Sequence, residues 1–329
     1  MNTTVARIAT FLLGVVASAG LGWLVIRSLD WGLVYESVKG VSAFLIPVAL
    51  AILMLASLAR AFRWQLLFHK EKLSILRLFR IQNEGIGFNN LMPVGILSEA
   101  TQLAILTLRD RVDSGTALAT LVMERAVAFV AGMLVIGFGL FLNHQIENFT
   151  LYGWAAVGLA VGAVGSVRFL AWGSGHLGLV RRLRYLGALA VAVRDLERGR
   201  IRLVKSLLVS VVYWILVGMT TWVTAAAIDV PISPVTAILV TTVTITFVAY
   251  LPAIPGAVGT FEFAIVYSLG FFSVEREAAF SLAVIIHAMF FIPPTMIAIL
   301  LLPREGVGSF RHMRKLATNV TRSVRVHGR

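Results

Sequence analysis

GIGFNNLMPVGILSE, at residues 85–99, and LPAIPGAVGTFE, at residues 251–262, each interrupt an apolar run with proline, glycine and a carboxylate. Pro93 in the first break and Pro255 in the second are 162 residues apart, and the glutamates that end the two stretches, Glu99 and Glu262, are 163 residues apart. Broken apolar segments at corresponding places in two halves of a chain are typical of substrate sites in membrane transporters. The spacing therefore predicts a duplicated membrane fold with its functional site at the breaks.

The composition is that of an integral membrane protein. Of the 329 residues, 58% are hydrophobic and 14% are charged, whereas a soluble domain carries about 25% charged residues. Several windows of about 18 or more residues have no interior charge, which is long enough for a helix to cross a membrane. The absence of cysteine excludes disulfides, zinc–thiolate sites and cysteine nucleophiles. In a membrane protein, the net charge of +13 does not indicate nucleic acid as a partner.

The apolar runs predict six clear spans and two interrupted regions. The interrupted regions, 73–108 and 235–272, hold shorter apolar pieces on either side of a break. Arg7 and an Ala-Ser-Ala triplet at 17–19 would also suit a cleaved signal peptide, but the apolar run continues to Ile26, which favours an uncleaved span. The clear spans lie at about 8–27, 42–60, 114–142, 150–170, 206–228 and 278–302.

The distribution of Lys and Arg predicts the orientation. Basic residues concentrate in 60–82, 168–205 and 304–329, whereas 143–149 and 229–234 contain none. Because cytoplasmic loops retain Lys and Arg, we predict a multi-pass protein of a bacterial or archaeal cell membrane with both termini in the cytoplasm.

This orientation predicts an inverted repeat. The hairpin 73–108 would enter and leave on the cytoplasmic side, and 235–272 on the outer side, so each half reads span, span, broken hairpin, span. The hairpins are either re-entrant or pairs of short spans with a Pro-Gly kink, and either form leaves a polar cavity. The predicted fold is an all-α polytopic membrane protein that forms a single transmembrane domain over 1–329, with repeat one at about 1–145, repeat two at about 146–303 and a basic cytoplasmic tail at 304–329.

Glu124 and Arg125 are the most informative charges inside a span. They follow about ten residues of the 114–142 helix, which places them about 15 Å deep, where charges usually mark a pathway. Adjacent helix residues do not face each other, so Arg125 needs another carboxylate, either Glu99 or Glu262. The alternative is a structural ion network that locks helices together.

His287 lies 163 residues after Glu124, in the last span and before the pair Pro293-Pro294. With Glu124 and Glu262 it would form a protonatable set suited to coupling transport to a proton gradient. The alternative is a histidine that only packs and donates hydrogen bonds.

The polar residues and glycines at the breaks are further candidates. Asn89 and Asn90 either satisfy freed backbone groups or bind a polar head group. Gly256 and Gly259 permit tight turns, and the half-helices that follow the breaks present free N–H groups suited to phosphate. The six histidines show no metal spacing, and no Walker loop, HExxH, GxSxG or complete Rossmann fingerprint occurs. We therefore predict no metal, no cofactor and no enzymatic activity.

Three motifs together resemble a known family. They are G-x-N-x3-P-x-G-x3-E at 87–99, ALATLVMER at 117–125 and P-G-x2-G-x2-E at 255–262. They resemble the flippase-like transmembrane domain of bacterial lysyl-phosphatidylglycerol synthases, whose aminoacyl transfer belongs to a separate soluble domain with no counterpart in this sequence. Family members often read Gly-Glu-x-x-Arg at the first motif, where this chain has Ser98 and Gln102. That departure bears on head-group identity and not on the fold.

The resemblance implies a lipid flippase or transporter that moves a polar lipid between leaflets through a central polar cavity. Arg125 would neutralise an anionic or phosphate-bearing head group, Glu99 and Glu262 would shape the hairpins, and Glu124 would hold Arg125. Expected partners are membrane phospholipids, with further anionic head groups at the basic loops and at a predicted interfacial amphipathic helix, 181–205. The alternatives are a membrane-embedded transferase on lipid-linked substrates, or a non-catalytic subunit that recruits a lipid-synthesis enzyme.

Overall fold

The computed structural model describes residues 3–69, 71–91, 97–143, 149–176, 199–250 and 255–305. In this part of the chain the regular structure is helical. The α-helices are α1 (Thr3–Ile26), α2 (Trp31–Lys39), α3 (Leu45–Gln65), α4 (Ile75–Leu91), α5 (Leu97–Leu108), α6 (Ser114–Leu142), α7 (Phe149–His176), α8 (Arg200–Ala227), α9 (Pro234–Tyr250), α10 (Thr260–Gly270) and α11 (Arg276–Leu301). Short 3₁₀ turns at Pro255–Ala257 and Leu302–Glu305 precede α10 and follow α11.

The helix lengths confirm an all-α membrane protein. The helices α3, α6, α8 and α11 are long and apolar enough to cross a membrane. The helices α1 and α7, with 24 and 28 residues, cover the other two predicted spans. Asp113 caps α6 by accepting a hydrogen bond from the backbone N–H of Thr116 at 3.0 Å, which fixes the start of the helix that carries Glu124.

The packing pairs elements of the two halves in a matching way. The two central helices, α3 and α8, pack against each other along their length. In the first half α3 contacts α4, α4 contacts α5 and α5 contacts α6; in the second half α8 contacts α9, α9 contacts α10 and α10 contacts α11. Between the halves, α4 packs on α11 and α9 packs on α6. A duplicated fold produces this pairing, and the boundaries of the repeats stay a prediction.

The two hairpins begin and end at opposite ends of the bundle. Near the start of α4, Arg77 bonds Asp110, just past α5, at 3.0 Å, and Glu305, just past α11, at 2.8 Å. We call this the Glu305 end. For the second hairpin, Val230 before α9 and Val274 after α10 join one apolar cluster with the last turn of α1. Both points lie at the end where α11 begins, which we call the Arg276 end.

Two sequence predictions about boundaries were wrong, and one helix was not predicted. The helix α3 continues to Gln65, so Arg60 and Arg63 lie in a packed helix and not in a basic loop. The helix α8 begins at Arg200, so the end of the predicted amphipathic segment 181–205 belongs to a membrane helix. The short helix α2 was not predicted, because its nine residues contain no apolar run long enough to indicate a membrane span. Residues 181–198 and 306–329, in the predicted amphipathic helix and tail, lie outside the described residues.

Candidate functional site

A buried ion cluster joins α3 to α6. The side chain of Glu124 is 5% exposed and pairs with the guanidinium of Arg63, which is 1% exposed. Arg60, one turn earlier on the same face of α3, places Nε 3.2 Å from Oε1 of the same carboxylate. Two arginines on one carboxylate leave the cluster with a net positive charge.

The helix α8 holds Arg63 from its other side. Ser210 accepts a hydrogen bond from Nη1 of Arg63 at 3.3 Å, and the guanidinium carbon lies 5.2 Å from the ring centre of Tyr213, a cation–π contact. Ser206 donates to the backbone carbonyl of Arg63 at 3.4 Å. Because α3 and α8 lie in the two predicted halves, the cluster links the predicted repeats at the contact between these helices.

Arg125 is placed differently from its neighbour Glu124. Its side chain is 50% exposed and pairs with Glu99, which is 35% exposed and lies in the first turn of α5. Of the two carboxylates that the sequence offered to Arg125, the structure therefore brings Glu99 to it. The expectation that Glu124 holds Arg125 is met only loosely, because Arg125 Nε lies 3.9 Å from Glu124 Oε2 while Arg60 and Arg63 take its hydrogen bonds.

A second polar cluster surrounds the break before α10. Gly256 and Gly259 have φ of 71° and 83°, values that favour glycine. The N–H of Gly259 donates to Glu262 Oε2 at 2.7 Å. Glu262 Oε1 lies 2.6 Å from Nδ1 of His287, whose Nε2 lies 2.7 Å from the carbonyl oxygen of Gly256. The glutamate and the histidine thus hold the turn from two sides.

The geometry limits where the protons of this second cluster can lie. A carbonyl oxygen only accepts, so Nε2 of His287 carries a hydrogen and donates it to Gly256. A 2.6 Å contact between Nδ1 and Glu262 Oε1 also requires a hydrogen between the two atoms. The ring of Phe261 stacks on the imidazole with centroids 4.6 Å apart and covers it. The pair is neutral as a whole, and the reading of His287 as a hydrogen-bonded packing residue fits these contacts.

The helix α1 packs directly on the second break. A Cβ atom at Gly259 would lie 2.4 Å from the backbone oxygen of Ser18, so the chain requires glycine there for space as well as conformation. The hydroxyls of Ser18 and Thr260 lie 3.0 Å apart. This contact positions the start of α10, the half-helix that carries Glu262.

Asn90, one of the two asparagines of the first break, bonds to α11. Asn90 donates to the hydroxyl of Thr295 at 3.1 Å and to the carbonyl of Phe291 at 3.4 Å, beside Pro293 and Pro294, which cannot donate to the preceding turn. The carbonyls that the two prolines leave without a helical donor are those of Met289 and Phe290, so the backbone and head-group alternatives for Asn90 both stay predictions. Asn89 has a buried Oδ1 with no hydrogen-bond partner in the described part of the chain. Pro93 lies outside the described residues, and Pro255 opens the 3₁₀ turn.

The candidate residues fall into two groups, one containing Glu99, Glu124 and Arg125 and the other Gly256, Gly259, Glu262 and His287. Within the described ranges no hydrogen bond or ion pair joins the groups, so a cavity shared by both breaks stays a prediction.

The sequence alone did not point to Arg60 and Arg63, because positive charges near the end of an apolar run are typical of a cytoplasmic loop. Their spacing of three residues, which puts both on one helix face, was the available clue. No group of three His, Asp or Glu suited to a metal occurs in the described residues.

Comparison with known protein families assigns the chain to one of them. The family model described as the lysylphosphatidylglycerol synthase TM region matches residues 11–298. The chain belongs to this family. The lysylphosphatidylglycerol synthase TM-region match covers both breaks and both clusters, and it confirms the resemblance inferred from the three motifs. No curated protein matches the chain significantly. Membership of this family supports a role in the membrane that concerns lipids.

Proposed function

We propose that this chain moves a polar lipid with a phosphate or other anionic group between the leaflets of the cell membrane, acting as a transporter and not as an enzyme. The observation that carries the proposal is Arg125, a half-exposed cation in the middle of a membrane helix, paired with a carboxylate that a lipid phosphate can replace. Family membership supports the lipid as the class of substrate.

The charge balance of the first cluster favours one anionic ligand. Arg60, Arg63 and Arg125 stand against Glu99 and Glu124, so the cluster carries 3 − 2 = 1 positive charge. Burial prevents Arg63 and Glu124 from exchanging partners, because an unpaired buried charge costs several kcal/mol. Arg125 and Glu99 are exposed enough to separate. A phosphate would displace Glu99 and bind Arg125 with charge-assisted hydrogen bonds.

The depth of Arg125 suits a transport site. It follows Ser114, the first residue of the 29-residue α6, by eleven positions, or about 17 Å at about 1.5 Å per residue. Neither surface of a hydrocarbon core about 30 Å thick is then close. A half-exposed guanidinium at that depth implies a polar pathway next to it.

The lengths of the returning arms support re-entrant hairpins. The helices α5 and α10 have 12 and 11 residues, so they extend only about 18 Å and 17 Å and end inside a core of about 30 Å. Each begins at its break with a carboxylate in its first turn, Glu99 or Glu262. In this proposal the Glu305 end faces the cytoplasm, the lipid tails stay in the bilayer, and rocking of the two halves exposes the head group to each leaflet in turn.

Leaflet movement of fluorescent lipids in proteoliposomes tests the proposal. Anionic, zwitterionic and polyprenyl-phosphate lipids are compared, with bleaching of the outer leaflet as the readout. Loss of a charge-assisted contact in Arg125→Ala predicts a rate about ten- to a hundredfold lower. The matched control is Arg27→Ala, which removes an exposed arginine directly after α1 and should leave the rate unchanged.

Two results would overturn parts of this proposal. Wild-type rates in Arg125→Ala would remove Arg125 from the site. Movement of no lipid class, with or without a proton gradient, would instead favour a non-catalytic subunit that recruits an enzyme.

A further inference from the structure

A fully buried carboxylate in α4 takes no part in either cluster described above. The side chain of Glu84 has 0% exposure, and neither of its carboxylate oxygens has a hydrogen-bond partner among the described residues. In contrast, Glu99, Glu124 and Glu262 each face a cation or a donor. Glu84 therefore differs from these three glutamates in having a buried carboxylate with no partner among the described residues.

The three-residue spacing between Glu84 and Gly87 places Glu84 on the face of α4 that packs on α11. Gly87, one turn further along the same face of α4, approaches α11 so closely that a Cβ there would lie 2.1 Å from the carbonyl of Pro294 and 2.6 Å from the Cβ of Ala298. This contact joins the two halves and lies beside the proline pair of α11. An ionised carboxylate buried there without a partner would cost several kcal/mol, so in this conformation Glu84 carries a proton.

The charged groups that act on Glu84 lie towards the Glu305 end. On α4 itself they are Arg80 and Arg77, four and seven residues earlier, or about 6 Å and 10 Å along the helix axis. Asp110 and Glu305 reach it from beyond α5 and α11, and both are bonded to Arg77. The other charged groups on the helices that pack against α4 bond elsewhere. Arg60 and Arg63 pair with Glu124, Glu99 with Arg125, and His287 with Glu262. At the opposite end of α11, Arg276 donates to the carbonyl of Leu24 and Glu277 accepts from the N–H of Asp30.

We propose that Glu84 is a proton-binding site that closes the interface between α4 and α11. The carboxylic acid keeps its proton while the interface is closed. When α4 and α11 separate at the Glu305 end, the O–H bond breaks, the proton passes to water, and the carboxylate is stabilised by water and by Arg80. Acid conditions therefore favour the closed state and basic conditions the open state, because only the closed state requires the proton.

This inference deepens the proposed function, since separation of α4 from α11 is one half of the rocking movement. It would make lipid movement proton-linked through a residue outside the head-group site. Its first test does not depend on lipid movement, so failure of the proton site and failure of the proposed transport can be told apart.

Cysteine labelling provides that first test, because the chain contains no cysteine. Thr295→Cys places a thiol on α11 at a position with 7% exposure that faces Asn90 of α4. Its labelling rate with a small water-soluble thiol reagent is measured from acid to basic pH, with Glu84 and with Glu84→Gln. At each pH the rate with Glu84 is divided by the rate with Glu84→Gln. This ratio cancels the ionisation of the thiol itself.

The proposal predicts a ratio that is constant at acid pH and then rises about tenfold per pH unit, as release of one proton requires. Glu84→Met, an apolar change of similar size, should label like Glu84→Gln, and Glu36→Gln, an exposed carboxylate (64%) on α2, should label like the wild type. A ratio that stays constant over the whole pH range overturns the proposal.

Lipid movement gives the second test. A pH-dependent wild-type rate that becomes independent of pH in Glu84→Gln supports proton linkage, and pH dependence that survives the substitution contradicts it. If no lipid moves but the labelling ratio still rises, the proton site stands and the transport proposal falls.

Discussion

The two carboxylates of the first cluster provide the sharpest test of its energetics, because they differ in burial and not in chemistry. Glu124 is 5% exposed between Arg60 and Arg63, whereas Glu99 is 35% exposed beside the half-exposed Arg125. Glu124→Gln leaves two adjacent guanidinium groups without a counter-charge. Breaking a buried pair from one side costs about 3–5 kcal/mol, whereas an exposed pair contributes about 0–1 kcal/mol.

At roughly 2 °C per kcal/mol, Glu124→Gln should lower the midpoint of thermal unfolding in detergent by about 6–10 °C. Glu99→Gln should lower it by at most about 2 °C. Tryptophan fluorescence measures both, since Trp64 is buried one residue after Arg63. Equal shifts in the two variants would refute the assignment of Glu124 to a buried, helix-locking network and Glu99 to an exchangeable pair.

A double variant sharpens the result. Arg63→Met combined with Glu124→Gln removes one of the two stranded guanidinium groups, and an apolar side chain suits a position that is 1% exposed. The double variant should therefore lose less stability than the sum of the two single variants. Strict additivity would mean that the two side chains do not interact.

Two further predictions concern the second break. Gly259→Ala, at φ 83° and with its Cβ 2.4 Å from the Ser18 oxygen, should lower the unfolding midpoint by several degrees, since the strain alone costs about 1–3 kcal/mol. The control Gly158→Ala, in α7 with open space around it, should leave the midpoint unchanged or raise it. A similar loss in both variants would contradict the close contact between Gly259 and α1. His287→Ala removes the bonds to Glu262 and Gly256 and should lower the unfolding midpoint, whereas an unchanged midpoint would show that the imidazole does not hold the turn.

Several features of this protein could be predicted from sequence because they depend on local composition. Long uncharged runs predict membrane helices, since a helix satisfies its backbone hydrogen bonds within one segment, and the structure has helices over all six predicted spans. The two Pro-Gly breaks predicted where helices stop, because proline lacks an N–H and glycine permits positive φ. Matching positions in the two halves also placed His287 and Glu262 among the candidates, and the structure brings their side chains together.

The tertiary structure alone decided which charges are buried and which can exchange. The sequence places Arg60 and Arg63 at the edge of an apolar run, where they read as cytoplasmic charges. Only the packing of α3 against α6 and α8 turns them inward onto Glu124. The same holds for Glu84, which precedes the first break in sequence without any sign that packing buries it completely. A carboxylate's environment depends on residues two hundred positions away, such as Pro294 and Glu305, and no local pattern of residues records which helix will pack on it.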